Sequence, residues 1–261
     1  MFEVSACAWC LGGEPSAAVA RLKYSGFDYV DLRPDCWDGI PDAGSLAGMG
    51  VRLACAGITP MRMAPGISLS SLATEDAGRA LPYLAGAIQR ASKLGARRAY
   101  MVTPPERVGG RPEYVQSLRR LADEAGEVGV GLCVEPHPGR ALSDYTEVMR
   151  LLDGAGSDNL YALLDLGHLL ITGEDPAATV RMLGDRIGYV HIDDNDGKAD
   201  RHFGLLEGVL KPHVVDSFLD ALAAVGYDRP VSIELSRSLP SPVASLVASR
   251  DYITRWGERR G

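Results

Sequence analysis

Cys133-Val134-Glu135-Pro136-His137, Leu163-Leu164-Asp165-Leu166-Gly167-His168, Tyr189-Val190-His191-Ile192-Asp193-Asp194 and Val231-Ser232-Ile233-Glu234 are short apolar runs that each stop at an acid or an imidazole. Roughly a helix-length of sequence separates each run from the next. A charge buried without a partner is costly, so carboxylates at the ends of buried strands are rarely structural. Glu135, Asp165, His191 and Glu234, brought to one point, would offer three anionic groups and one imidazole. That donor set suits a divalent cation: manganese first, with magnesium, cobalt, iron or zinc also accommodated.

Working outward, eight runs read as short buried strands, at about 2–9, 28–33, 51–58, 98–103, 130–136, 160–166, 187–192 and 230–236. They are rich in Val, Ile, Leu, Tyr, Cys and Ala, and most do not alternate cleanly, as expected of parallel strands covered on both faces. Helical spacing fills the intervals. Thr74–Leu94, with Pro82 as a kink or restart, Tyr114–Val128 and Val214–Val225 carry apolar residues at threes and fours. Ser143-Asp144 and Gly173-Glu174-Asp175-Pro176 open two more helices, and Gly226 closes the last before strand eight. Strand and helix repeated eight times in 261 residues predict a single (β/α)₈ TIM barrel spanning 1–261, with no Pro/Gly/Ser linker to divide it. An open nucleotide-binding sheet is the alternative, but the chain has no G-x-G-x-x-G and no G-x-x-x-x-G-K-[ST].

Composition narrows the partners. A hydrophobic share of 46 % is enough for a large core, and a formal net charge of −7 disfavours a broad grip on nucleic acid. No apolar stretch approaches 18 residues, so no membrane span is expected. The start, Met1-Phe2-Glu3-Val4-Ser5-Ala6-Cys7, reads as mature sequence rather than a signal peptide. Five cysteines, an odd number in a chain too long to need staples, point to reduced thiols in a cytoplasm. Cys7 and Cys10 form a C-x-x-C. On a strand over 2–9 their sulfurs would point to opposite faces, so they read as core residues.

In a barrel of this kind the strand C-termini converge on one face, and the groups there do the chemistry. Taken singly, Glu135 could be an N-cap, Asp165 a turn residue and His191 a satisfied core histidine. Taken together, at corresponding ends of strands five to eight, they read as a site. Glu135, then Asp165-x-x-His168, His191-Ile192-x-Asp194 and Glu234 resemble the ordered signature of the xylose isomerase-like barrels. That group includes ketose 3-epimerases, hydroxypyruvate isomerase, inosose and dehydroshikimate dehydratases, and endonuclease IV. The resemblance covers the whole barrel in outline and is specific from about residue 130 onward. It implies that Glu135, Asp165, His191 and Glu234 hold one divalent metal, that Glu135 and Glu234 exchange the substrate proton, and that His168 contacts substrate.

Asp200-Arg201-His202, in the loop beyond strand seven, resembles part of a second metal site of endonuclease IV, which would add a cation on His168, Asp200 and His202. The alternative is that His168 and His202 contact substrate and Asp200 orients Arg201. His137, two residues past Glu135, and Arg201 are further candidate substrate contacts. Asp193 and Asp194 are candidates for fixing the ring of His191, whereas Asp196-Gly197 reads as a solvated turn. Arg33, Arg62 and Arg237, near the ends of strands two, three and eight, are surface arginines unless an anionic group on the substrate recruits them.

A cation between two carboxylates suits proton transfer next to a carbonyl. Reprotonation on the opposite face gives an epimerase, transfer to the neighbouring carbon an isomerase, and expulsion of a β-hydroxyl a dehydratase or lyase. The expected function is therefore a metal-dependent isomerase or epimerase acting on a small sugar or polyol in carbohydrate metabolism. Phosphoester hydrolysis as in endonuclease IV ranks lower, because all five histidines (His137, His168, His191, His202 and His213) lie at or after residue 137, leaving none for that family's early-strand ligands. A non-catalytic metal- or sugar-binding barrel ranks last, because binding needs no opposed acid and base. Whether the chain forms a homo-oligomer is left open by the sequence.

Overall fold

The computed structural model describes residues 1–59, 67–74, 77–105 and 112–260. Eight parallel strands close into a barrel in sequence order: β1 Val4–Cys7, β2 Tyr29–Leu32, β3 Arg52–Gly57, β4 Arg98–Val102, β5 Gly131–Glu135, β6 Leu160–Asp165, β7 Ile187–Ile192 and β8 Val231–Ile233. Helices α1 Pro15–Tyr24, α2 Ala43–Gly48, α3 Ala77–Lys93, α4 Pro112–Glu127, α5 Tyr145–Ala155, α6 Leu166–Thr172, α7 Pro176–Leu183, α8 Pro212–Ala224 and α9 Pro242–Glu258 lie between and after them. The expected (β/α)₈ TIM barrel is the observed fold.

Local chemistry sets the boundaries. Asp144 caps α5 by accepting from the Glu147 amide, and Asp175 caps α7 from the Ala178 amide with Pro176 at its first position. Gly156 ends α5 in the left-handed conformation, where a side chain would be strained. Pro82 does not break α3. It is the sixth residue of that helix, so its missing N–H forfeits a single bond near the N-terminus.

Two cores result. The larger lies between strands and helices and includes Val19, Leu84, Leu118, Leu152 and Phe218, all essentially inaccessible. The smaller fills the middle of the barrel with Cys55, Tyr100, Cys133, Leu163 and Tyr189. Because side chains alternate along each strand, the next inward positions above this layer are Glu135 on β5, Asp165 on β6 and His191 on β7. The β6–β7 register sets Asp165 directly beside His191.

Candidate metal centre and its cavity

At the C-terminal end of the barrel the donor atoms of Glu135, Asp165, His191 and Glu234 all lie within 4.8 Å of one another. The Nδ1 of His191 is 2.9 Å from Glu234 Oε2, 3.6 Å from Glu135 Oε1 and 4.0 Å from Asp165 Oδ2. Asp165 caps α6 with one oxygen, Oδ1, which accepts from the His168 amide at 3.0 Å. Its other oxygen, Oδ2, is buried with no hydrogen-bond partner, and so is His191 Nδ1. Buried polar atoms are almost always satisfied. Two orphans facing each other among carboxylates fit a divalent cation.

Neighbouring side chains hold these donors. The Tyr145 hydroxyl accepts from the Asp165 amide at 2.7 Å and donates to the Leu163 carbonyl at 3.2 Å, clamping the end of β6. Trp9 donates its indole N–H to Glu234 Oε1 at 2.8 Å. Tyr100 and Tyr189 pack edge-on against the His191 ring, with centroids 5.2 and 5.8 Å away. Asp31, wholly buried on β2, lies 3.4 Å from His191 Nε2. Its Oδ1 accepts from the hydroxyls of Ser5 and Tyr189, each at 2.8 Å.

A second cluster sits beside the first. Asp200 Oδ2 lies 3.3 Å from His137 Nε2, 3.5 Å from His168 Nε2 and 3.1 Å from His202 Nε2. His168 is oriented by its Nδ1, 2.9 Å from the Pro136 carbonyl, and His202 by its Nδ1, 2.8 Å from Asp193 Oδ2. His202 adopts φ 49°, a left-handed conformation that is uncommon outside glycine, though histidine takes it more readily than most residues, and that clusters at functional sites. A cavity of about 460 Å³ opens here, lined by both glutamates, the three imidazoles and Asp200.

The charges are strongly coupled. Burial alone would strip the proton from His168, but Asp165, Asp200 and Glu135 outweigh it and raise its pKa to about 10. Burial likewise opposes protonation of His202 and His191, and the surrounding carboxylates, Glu234 foremost for His202 and Asp31 foremost for His191, hold both well above the usual imidazole range. For Asp200, burial opposes ionisation, yet His137, His168 and His202 keep it well below the usual carboxylate range. Glu234 is also buried and is held low by His202, His191 and Trp9. Cations entering either cluster therefore compete with protons.

The sequence-derived residues divide clearly. Glu135, Asp165, His168, His191, His202, Asp200 and Glu234 come together, and His137 joins them although β5 ends at Glu135. Arg201 is the exception among the proposed substrate contacts. It turns outward, its Nε 2.9 Å from Asp196 Oδ2, with its side chain 54 % exposed. Asp196 also accepts from the Lys198 and Ala199 amides, so the solvated turn is as expected. Asp193 and Asp194 do not hold the His191 ring. Asp193 binds His202, while Asp194 accepts from the amides of Asn195, Gly208, Val209 and Leu210, because both lie past the inward-facing end of β7. Arg33 lines the cavity and pairs with Asp35; Arg237 is exposed; Arg62 lies outside the described residues.

Asp31, Trp9 and Tyr145 went unread in the sequence. Asp31 had a signal: it is the one acid inside the apolar run Tyr29-Val30-Asp31-Leu32, at an inward position. Both cysteines of the C-x-x-C are wholly buried core residues, as expected. The local geometry differs, because strand β1 stops at Cys7 and a 3₁₀ turn runs over Ala8–Cys10. Burial first, then a hydrogen bond with Cys10, raise the Cys7 thiol pKa.

A family model described as xylose isomerase-like TIM barrel matches residues 19–256. Inosose dehydratase of Lacticaseibacillus casei is 35% identical over 97 residues, which is 35% of this chain and 33% of that protein. L-ribulose 3-epimerase of Methylomonas sp. (strain DH-1) is 31% identical over 129 residues, covering 48% of this chain and 42% of the relative. The matches thus span well under half of these curated relatives. Among solved structures, D-allulose 3-epimerase from Methylomonas sp. superposes with a TM-score of 0.79 at 20% identity, over 98% of both chains. No helix among the described residues is long and apolar enough to cross a membrane.

Proposed function

We propose that this chain, which belongs to the xylose isomerase-like TIM barrel family, is a divalent-metal-dependent isomerase or epimerase of a small keto-sugar or polyol. The observation that carries the reading is the donor set of Glu135, Asp165, His191 and Glu234, gathered within 4.8 Å with two buried atoms left unpaired. Three oxygen donors and one imidazole favour manganese, with magnesium, cobalt, iron and zinc as further candidates. When bound there, such a cation polarises a carbonyl and its neighbouring hydroxyl and acidifies the carbon-bound proton.

The chain's own groups do the rest. Glu135 and Glu234 line the cavity from different strands and serve as the proton-transfer pair. The Trp9 indole holds one oxygen of Glu234, which restricts the other to a single direction. His137, His168 and His202 present N–H groups to a hydroxylated substrate, and the cavity of about 460 Å³ is of a size for a small sugar. Similarity to proteins named as an L-ribulose 3-epimerase and an inosose dehydratase supports a polyhydroxylated carbonyl substrate.

As a second reading, we propose that the His168, Asp200 and His202 cluster holds a second cation, in which case the Nε2 atoms of His168 and His202 are ligands and His137 alone is left as an N–H donor to substrate. His168 Nε2 and Asp200 Oδ1 are buried without hydrogen-bond partners, as Asp165 Oδ2 and His191 Nδ1 are in the first cluster. Anomalous scattering at a metal edge from metal-soaked crystals tests it. Two peaks a few Å apart support the second site; one peak leaves these residues as substrate contacts.

The function is tested by loading the purified protein with manganese and screening ketoses and inososes in deuterated water. Exchange of a carbon-bound hydrogen with solvent, at a rate that follows the metal, supports the isomerase or epimerase. Exchange accompanied by loss of water selects the dehydratase instead. Metal-dependent turnover of a phosphoester without exchange at carbon would overturn both.

A further inference from the structure

A cavity of about 680 Å³ lies not at the metal centre but at the opposite, N-terminal end of the barrel. Four arginines line it: Arg52 at the start of β3, Arg97 and Arg98 at the start of β4, and Arg229 just before β8. Only two carboxylates, Glu3 and Asp228, stand against them. In a chain whose net charge is −7, this is a local reversal of sign.

Two of the guanidinium groups stack on aromatic rings, although Arg52 and Arg97 are exposed. Arg52 lies over the Tyr29 ring at 4.3 Å and Arg98 over the Tyr161 ring at 4.7 Å. Stacking of this kind fixes the plane of the fork while leaving its N–H edge free. Gly131, at the start of β5, makes room for Arg98: a Cβ there would come within 2.6 Å of Nη1. Arg98 Nη1 donates to the Arg97 carbonyl at 3.0 Å, but its Nε is buried without a partner. Among the described residues neither Arg97 nor Arg98 has a carboxylate within ion-pair distance. The ion pairs of the other two are loose, Arg52 to Glu3 at 3.8 Å and Arg229 to Asp228 at 3.7 Å.

We infer that this floor cavity binds a small multivalent oxyanion, such as a phosphorylated or polycarboxylate metabolite, held by Arg97 and Arg98 with Arg52 and Arg229 across from them. Guanidinium forks match the paired oxygens of phosphate and carboxylate, and several charges converging in one concavity hold a multivalent anion better than a monovalent one. The site is separate from the metal centre. The buried layer of Cys55, Tyr100, Cys133, Leu163 and Tyr189 fills the barrel between them, so a ligand on the floor has no route through the barrel to Glu135 or Glu234.

The test is calorimetric titration of the full, metal-free chain with pyrophosphate, and separately with citrate, at constant ionic strength. Removing metal first prevents the anions from being drawn to a cation at the upper centre. Saturable one-to-one binding is expected. Its affinity should fall at least tenfold in Arg97→Gln/Arg98→Gln and stay unchanged in His202→Asn. Arg97→Gln alone, on an exposed side chain, serves if the double variant fails to fold, and should also weaken binding. The better of the two anions identifies phosphate or carboxylate as the recognised group. Absence of saturable binding, binding indifferent to Arg97 and Arg98, or binding lost in His202→Asn would each overturn the inference.

Discussion

Asp31 Oδ2 lies 3.4 Å from His191 Nε2, on the far side of the ring from the nitrogen that faces Glu135, Asp165 and Glu234. The other oxygen of Asp31 is occupied by the hydroxyls of Ser5 and Tyr189, so the carboxylate cannot rotate away without stranding them. The Asp31 charge beside Nε2, close enough for an ion pair though not aligned for a hydrogen bond, favours the proton there and leaves the Nδ1 lone pair toward the donor cluster. Asp31→Asn retains the shape and removes the charge. Metal affinity, measured by competition with a chromophoric chelator, should fall on the order of 10- to 100-fold, with secondary structure unchanged. An unaltered affinity would show that Asp31 is a packing residue only.

The second prediction concerns pH in the metal-free protein. His168 is raised from 6.5 to about 10, so the folded state holds its proton more tightly than the unfolded chain. Its contribution to stability is fully present below pH 6.5 and is lost as pH rises through about 10. Asp200 is depressed by the same imidazoles, so its contribution is present above its unfolded value and lost only in strong acid. Urea unfolding in the presence of chelator should give a lower midpoint at pH 10 than at pH 6.5. His168→Gln should flatten that fall. A midpoint that does not change over this range would refute the coupling.

The four-donor cluster was legible because parallel strands make it so. Apolar runs ending in Glu135, Asp165, His191 and Glu234 leave little choice but convergence once eight strands close in order. Asp31 was hidden because an acid in the middle of a short run reads equally as an edge or a loop residue until the strand's inward face is known. Arg201 was over-read for the opposite reason. It sits in a loop between Asp200 and His202, both turned inward, and nothing local in sequence reports that its own side chain is drawn outward by Asp196. Cys10 illustrates a third cause: β1 is shorter than its apolar run, and a 3₁₀ turn over Ala8–Cys10 takes the second cysteine off the strand.

Asp165 has two roles on two oxygens, and substitution separates them. Oδ1 caps α6 through the His168 amide, and Oδ2 faces the donor cluster. Asp165→Asn keeps a capping oxygen, so its thermal midpoint in chelator should stay close to that of the parent. Asp165→Ala loses the cap as well and should be about 0.5–2 kcal/mol less stable. Both should lose bound metal on elemental analysis. Full occupancy in Asp165→Asn would remove Asp165 from the ligand set.

The last prediction rests on Glu135 and Glu234 as the proton-transfer pair. Glu135→Gln and Glu234→Gln preserve shape and remove the base, so exchange of substrate hydrogen with solvent deuterium should slow by about 10²-fold or more. Both residues are also proposed ligands, and the amides will weaken metal binding, so rates must be compared at saturating metal. Trp9→Phe provides an independent check that leaves both carboxylates in the chain. The indole N–H donates to Glu234 Oε1; without it the carboxylate is aimed less firmly, so kcat should fall while KM changes little. If Glu234→Gln retains full exchange at saturating metal, Glu234 is a ligand without a base's role. If Trp9→Phe moves KM and leaves kcat in place, the indole acts on substrate rather than through Glu234.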